Sequence, residues 1–246
     1  VLRGAAQDPR IKVTAVCSRT VEAAEAFIAR NPMAEGAKVY TSIEDMAADP
    51  LVDAVYIATP HPFHKPCTEL FLNAGKHVLC EKPMCVNADE AQQLADCAQR
   101  NGVFLMEAMW TRFLPAIAEA QRIVASGEIG EIRAIEADFC YRTAPNAVPR
   151  LYLPHLAGGS LLDVGVYGLH FAAIFLGSAP ETLLALGHTD QGVDIHTSIL
   201  LKYKGGAIAN ITSAIGVAKP ETGYIYGTEG WISFPCFYGP RELTVH

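Results

Sequence analysis

The chain has 246 residues, half of them apolar, which is enough for a large core in one or two domains. Its formal net charge is −7 and no Lys/Arg cluster stands ready to neutralise phosphates, which argues against nucleic acid as a partner. The most apolar run, 161–176, is interrupted by Asp163, Tyr167 and His170 and falls short of the roughly 20 apolar residues that a membrane span needs, so no membrane partner is expected.

Residues 1–6 read as the tail of a helix. Residues 11–17 form a strand by their β-branched content, and 20–30 an amphipathic helix with Thr20 as its N-cap. A short strand at 38–40, a short helix at 42–48 and a buried strand at 53–58 follow. Residues 64–73 read as a helix stopped by Gly75, 77–80 as a strand, 87–99 as a helix capped by Asn87, and 103–106 as a strand. Strands spaced by helices of this length imply right-handed βαβ units and a parallel sheet.

Beyond Trp110 the pattern changes. A helix is expected at 113–125, and a half-buried strand at 131–141, where Ile132, Ala134, Ile135, Ala137 and Phe139 interleave with charge. One further helix spans 161–176. Strand-like runs follow at 183–186, 197–203, 207–213, 222–226 and 231–234. Their short joining turns, such as Lys204-Gly205-Gly206, make antiparallel pairs. The expected fold class is α/β: a Rossmann-type parallel sheet over 1–109, then an α+β domain with a mostly antiparallel open sheet over 110–246. Exposed sheet in the second domain invites a homodimer.

A doubly wound dinucleotide domain opens with a strand, a glycine-rich turn and a helix. Here the first strand comes at 11–17, and no G-x-G-x-x-G occurs anywhere. The expectation is a chain cut at its amino end, with the first strand and its turn upstream, and with closing strands beyond His246. Seven cysteines without C-x-x-C spacing read as reduced, buried thiols, and the start Val1-Leu2-Arg3-Gly4 shows no leader, so the expected compartment is cytoplasmic.

Four segments carry chemistry-bearing patterns. They are Ala58-Thr59-Pro60-His61-Pro62-Phe63-His64; Gly75-Lys76-His77-Val78-Leu79-Cys80-Glu81-Lys82-Pro83-Met84; Met106-Glu107-Ala108-Met109-Trp110-Thr111-Arg112-Phe113; and Gly158-Gly159-Ser160-Leu161-Leu162-Asp163-Val164-Gly165-Val166-Tyr167. In order and spacing they resemble the glucose-fructose oxidoreductase/inositol dehydrogenase (Gfo/Idh/MocA) family. Met-Glu-Ala-x-Trp-Thr-Arg-Phe, with Tyr on the last segment, resembles its dihydrodiol and D-xylose dehydrogenase branch. The resemblance implies a two-domain, NADP-dependent enzyme that moves a hydride between nicotinamide and a carbinol of a trans-dihydrodiol or sugar. The rival reading is an inactive relative or fragment that binds a ligand or partner and transfers no hydride.

Hydride transfer needs a held cofactor, a base for the hydroxyl proton and groups that stabilise the developing alkoxide. Lys82 follows a parallel strand, at the end where such sheets bind ligands. With Glu81 it is expected at the nicotinamide ribose and the substrate hydroxyl. Tyr167 is the expected general acid/base, with Asp163 four residues earlier on the same helix face. An ammonium from one domain and a phenol from the other are expected to converge on one carbinol. Asp163 also fits a plainer role, because Ser160-x-x-Asp163 is a capping-box pattern. Gly165 and Gly168, costly inside a helix, point to a site approaching closely beside Tyr167.

Ser18 and Arg19 end the first strand without a carboxylate, which suits the 2′-phosphate of NADP rather than NAD. Thr59, Pro60, His61 and His64 fall at the same sheet edge, near the pyrophosphate or nicotinamide. No third ligand accompanies the two histidines, so no metal is expected. The resemblance adds Trp110 and Arg112 against the cofactor. Phe139, Arg142 and Arg150 are candidates for the substrate pocket.

Overall fold

The computed structural model describes residues 2–246, with side chains from Gly4 onward, so Val1 of the expected helix tail lies outside the described residues. The chain folds as two compact units, one ending at Ala108 and the other starting at Met109. The first contains α1 (Leu2–Ala5), β1 (Ala15–Cys17), α2 (Val21–Arg30), β2 (Lys38–Tyr40), α3 (Ile43–Ala47), β3 (Ala54–Ile57), α4 (His64–Asn73), β4 (His77–Cys80), α5 (Ala88–Asn101) and β5 (Leu105–Glu107).

Local chemistry sets these boundaries. The side chains of Thr20, Ser42 and Asn87 accept from the backbone N–H groups of Ala23, Asp45 and Glu90 at 3.2, 3.0 and 2.9 Å, and so cap α2, α3 and α5. Gly102, at φ +64, closes α5 in the left-handed conformation that side chains disfavour. Strand pairing is parallel throughout, β1 with β2 and β3 with β4 with β5. Among the described residues no strand pairs β1 with β3, so the unit holds two separate parallel sheets. Val55, Ile57, Val78 and Cys80 pack with Phe71, Leu72 and Leu94 into its core.

Two expectations are corrected here. The strand expected at 11–17 narrows to β1, because only its last three residues find a partner in β2, and Ile11 is exposed. The strand expected to be buried at 53–58 instead alternates: Val55 and Ile57 face the core, and Ala54 and Tyr56 face solvent.

The second unit begins with a 3₁₀ turn, Trp110–Phe113, and α6 (Pro115–Ser126). The helix expected from 113 starts two residues later, because Leu114 is held extended by the proline at N1. Then come β6 (Ile132–Cys140), a π-helical turn (Leu161–Gly165) and α7 (Val166–Leu176). The remainder is strand: β7 (Thr182–Asp190), β8 (Val193–Lys202), β9 (Ile208–Ala214), β10 (Gly223–Gly227), β11 (Trp231–Phe234) and β12 (Thr244–Val245). They form one sheet in the order β12-β11-β10-β6-β9-β8-β7, in which only β6 and β9 run parallel. One face of this sheet supplies Ile135, Ile199, Ile211, Ile225 and Phe234 to a core shared with Ile117 of α6 and Phe171 of α7. By length and composition the stretch Pro154–Leu176 could cross a membrane, but half of its most apolar window is buried within the fold.

The two glycines beside Tyr167 have a structural explanation. A Cβ on Gly168 would lie 2.4 Å from Ile211 Cγ2, and one on Gly165 would lie 2.9 Å from Ser213 Oγ. They let α7 settle onto β9, so the close approach foreseen from the sequence is that of the sheet rather than of a ligand.

Candidate functional site

In the first unit the site residues gather at the carboxyl ends of β3, β4 and β5. Glu81 and Lys82 follow β4, and the Lys82–Pro83 bond is cis. Three contacts fix this turn. Glu81 Oε2 accepts from the Lys82 backbone N–H at 3.1 Å. Glu107 Oε1, at the end of β5, accepts from the Met84 N–H at 2.8 Å. His64 lies with Nδ1 2.7 Å from the Pro83 carbonyl oxygen and Nε2 2.6 Å from that of Thr59. The buried His64 ring thus ties the turn after β3 to the turn after β4. Its edge faces His61 with ring centres 5.8 Å apart. Among the described residues no group of three His, Cys, Asp or Glu side chains could hold a metal ion.

The other Glu81 oxygen, Oε1, accepts from the hydroxyl of Tyr56, whose phenol burial and that carboxylate push far above its usual range. Sequence reasoning missed Tyr56 and Glu107. The exposed phase of β3 is the signal for the first, and Glu107 stood inside a quoted motif. Pro60 is exposed and Thr59 half-buried after β3. After β1, Ser18 donates its backbone N–H to Tyr40 O at 3.1 Å, and Arg19 is exposed.

In the second unit Tyr167 is buried within an aromatic cluster. Its hydroxyl accepts from Trp110 Nε1–H at 3.1 Å. The rings of Phe139, Tyr238 and Trp110 lie 5.4, 5.8 and 6.3 Å away, tilted or edge-on. Phe139 stacks on Tyr238 at 3.9 Å. A cavity of about 420 Å³ opens beside Trp110 and Tyr238, with Cys236, Arg241 and Glu242 on its walls.

Asp163, also buried, accepts from Tyr141 Oη at 2.7 Å and from Arg150 at 3.1 Å. The capping-box role is overturned: Ser160 has helical backbone and its side chain caps nothing, so Asp163 is held by Tyr141, just past β6, and by Arg150 instead. Burial and then the Asp163 carboxylate push the Tyr141 phenol far above its usual range, which keeps it a donor. The structure therefore brings Tyr167, Phe139 and Trp110 into one cluster, and Asp163 and Arg150 into a second contact group. Arg142 is apart, exposed, with its backbone bridged to Gly216. Tyr141 and Tyr238 went unforeseen, since neither lies in a recognisable motif.

Burial and then the Arg112 charge push His170, one turn beyond Tyr167, down to about 4 from 6.5. Between those two values the unfolded chain binds a proton that the native chain does not, so stability falls as pH drops through that window and is flat above it. His170→Leu is expected to abolish this component. Melting temperatures of both proteins from pH 7 to pH 4.5 check it, and parallel declines would refute it.

Residues 2–109 match the family described as "Oxidoreductase family, NAD-binding Rossmann fold", and residues 117–233 match the "GFO/IDH/MocA C-terminal domain". A relative from Mus musculus, trans-1,2-dihydrobenzene-1,2-diol dehydrogenase, is 40% identical over 237 residues, which is 96% of this chain and 70% of the relative. A crystal structure of KijD10, a 3-ketoreductase from Actinomadura kijaniata in complex with NADP and TDP-benzene, matches with a TM-score of 0.89 at 27% identity, covering 100% of this chain and 78% of that one. GenD2 from gentamicin A biosynthesis, in complex with NAD, matches with a TM-score of 0.84 at 26% identity, covering 94% and 67%.

Proposed function

Because the chain belongs to the GFO/IDH/MocA family of oxidoreductases, we propose that it transfers a hydride between NADP and a carbinol of a trans-dihydrodiol or a D-xylose-like sugar. It is an NAD(P)-dependent dehydrogenase of CH–OH groups; the choice of NADP and of substrate is our reading.

The residues present suit the two ends of such a cofactor. Lys82 and the turn after β3 offer an ammonium and backbone groups at the carboxyl end of parallel strands, which suits the nicotinamide ribose. Ser18 and Arg19 offer a hydroxyl and a guanidinium, with no carboxylate to repel a 2′-phosphate. The sequence has no G-x-G-x-x-G, the turn on which a pyrophosphate is expected to rest. The nicotinamide, when bound, supplies the hydride chemistry.

The observation that carries the substrate reading is a phenol hydroxyl set in an aromatic cluster, one helical turn from a carboxylate held by Tyr141 and Arg150. In this reading Tyr167 takes the proton from the reacting hydroxyl. Asp163 orients the substrate's hydroxyls, and Lys82 favours the charged forms. The rings of Phe139, Trp110 and Tyr238 suit the flat face of a cyclic diol. Reduction of NADP and of NAD by the protein, assayed with trans-dihydrodiols and with D-xylose, tests this. Turnover of neither substrate class with either cofactor would sink it in favour of an inactive, ligand-binding relative.

We also propose a homodimer through the sheet of the second unit. The edge strand β7 is exposed along its whole length, and Leu184, Leu186, Leu200 and Ile208 stand exposed on the face turned away from the helices. Leu186→Asp is expected to shift the protein toward monomer in sedimentation. A parent that sediments as a monomer refutes the dimer.

A further inference from the structure

The helix that carries Asp163 and Tyr167 starts without the cap its own sequence offers. Ser160 has helical backbone, at φ −74 and ψ −36. Its hydroxyl, fully buried, donates instead to Asp194 Oδ2 at 2.6 Å and lies 3.0 Å from Ser213 Oγ. Asp194 is the second residue of β8, and the same Oδ2 also accepts from the Leu161 backbone N–H at 2.8 Å and from Thr197 Oγ1 at 2.9 Å. One carboxylate oxygen thus gathers three donors from two elements. Gly159 makes room for this. Its φ is +109, and a Cβ there would lie 2.1 Å from Asp194 Oδ1.

The turn that Asp194 holds, Leu161–Gly165, is π-helical, and Asp163 sits inside it. A π turn is wider than an α turn and is rarely adopted without an external reason. Here the reason is at the first amide, where a fixed anion meets the positive end of the helix. If the turn relaxed to the α-helical spacing, each residue before Val166 would rotate about the axis relative to Tyr167. Asp163 would then leave the oxygens and nitrogens of Tyr141 and Arg150.

We propose that Asp194 is a positioning residue for the reaction: acting through Ser160 and the Leu161 amide, it holds the π-helical register that sets Asp163 against Tyr141 and Arg150 and fixes its placement relative to Tyr167. The inference rests on the role assigned to Tyr167 above. Asp194→Ala is expected to lower kcat on the order of 10- to 100-fold, the scale of a small misplacement of reacting groups, with the Kd for NADP unchanged. Asp194→Asn keeps an acceptor oxygen and recovers part of the loss. The kcat pH profile of the alanine variant is displaced as well, which a uniform loss of folded protein would not do. An alanine variant with the parent kcat and pH profile overturns the proposal. So does a loss of kcat matched by an equal loss of folded protein at the assay temperature.

A second readout separates this idea from the assigned reaction. The chain has two tryptophans, and Trp110 donates to the Tyr167 hydroxyl. In a Trp231→Phe background the emission of Trp110 therefore reports the position of Tyr167. A shift in that emission on adding Asp194→Ala upholds the positioning role even if the parent turns over no diol or sugar, in which case only the reaction assignment falls. An unchanged emission together with the parent kcat and pH profile overturns it.

Discussion

Tyr167→Phe is expected to lower turnover by about two to four orders of magnitude with little change in substrate KM, because it removes only the group that moves the proton. The ring itself stays, still packed against Phe139 and Tyr238. The lost hydroxyl leaves the indole N–H of Trp110 without that acceptor. The stability cost is expected at about 1 to 3 kcal/mol, the range for a donor left unsatisfied. No neighbouring phenol can take over. Tyr141 and Tyr238 are both held well above their usual range, by burial first, with Asp163 beside the one and Cys236 and Glu221 beside the other. Steady-state kcat across pH 6 to 10 checks this. A variant that keeps both the parent rate and the parent pH profile would remove Tyr167 as the proton carrier.

What could be read from the chain alone follows the range of the forces involved. Thr20 and Asn87 were legible as caps because the bond each makes spans only three residues. Strands β2 and β11 were legible because their β-branched and aromatic residues run up to turn-forming residues. The π turn was not legible, since the carboxylate that holds it lies on β8, and Ser160-x-x-Asp163 spells a local cap that the tertiary contact overrides. Strand β12 is two residues long and exists through pairing with β11 alone. The same division runs through the site. Lys82, Asp163 and Tyr167 stand in motifs, whereas Tyr56, Tyr141 and Tyr238 reach their partners from other strands or turns across the fold. His64 was legible as important, but its task was not: its two carbonyl partners lie 5 and 19 residues away.

Lys82→Met should lower kcat by about 10² to 10³, the usual consequence of deleting one charge that stabilises a developing anion, and should also weaken NADP binding. The substitution isolates the charge because methionine keeps most of the apolar stem. The turn itself has independent support. Glu81 holds the backbone of residue 82, His64 the carbonyl of Pro83, and Glu107 the amide of Met84. All three contacts use main-chain atoms and outlast the substitution. Lys82→Arg makes the complementary test: it restores a positive charge but spreads it over a planar fork that reaches farther. If the lysine acts only by gripping the ribose, saturating NADP restores kcat in both variants and the loss is confined to KM for the cofactor. If it also acts on the reacting oxygen, as proposed, kcat stays low at saturation in the methionine variant and recovers incompletely in the arginine one. Full recovery of the methionine variant at saturating NADP would leave Tyr167 and Asp163 to carry the chemistry without it.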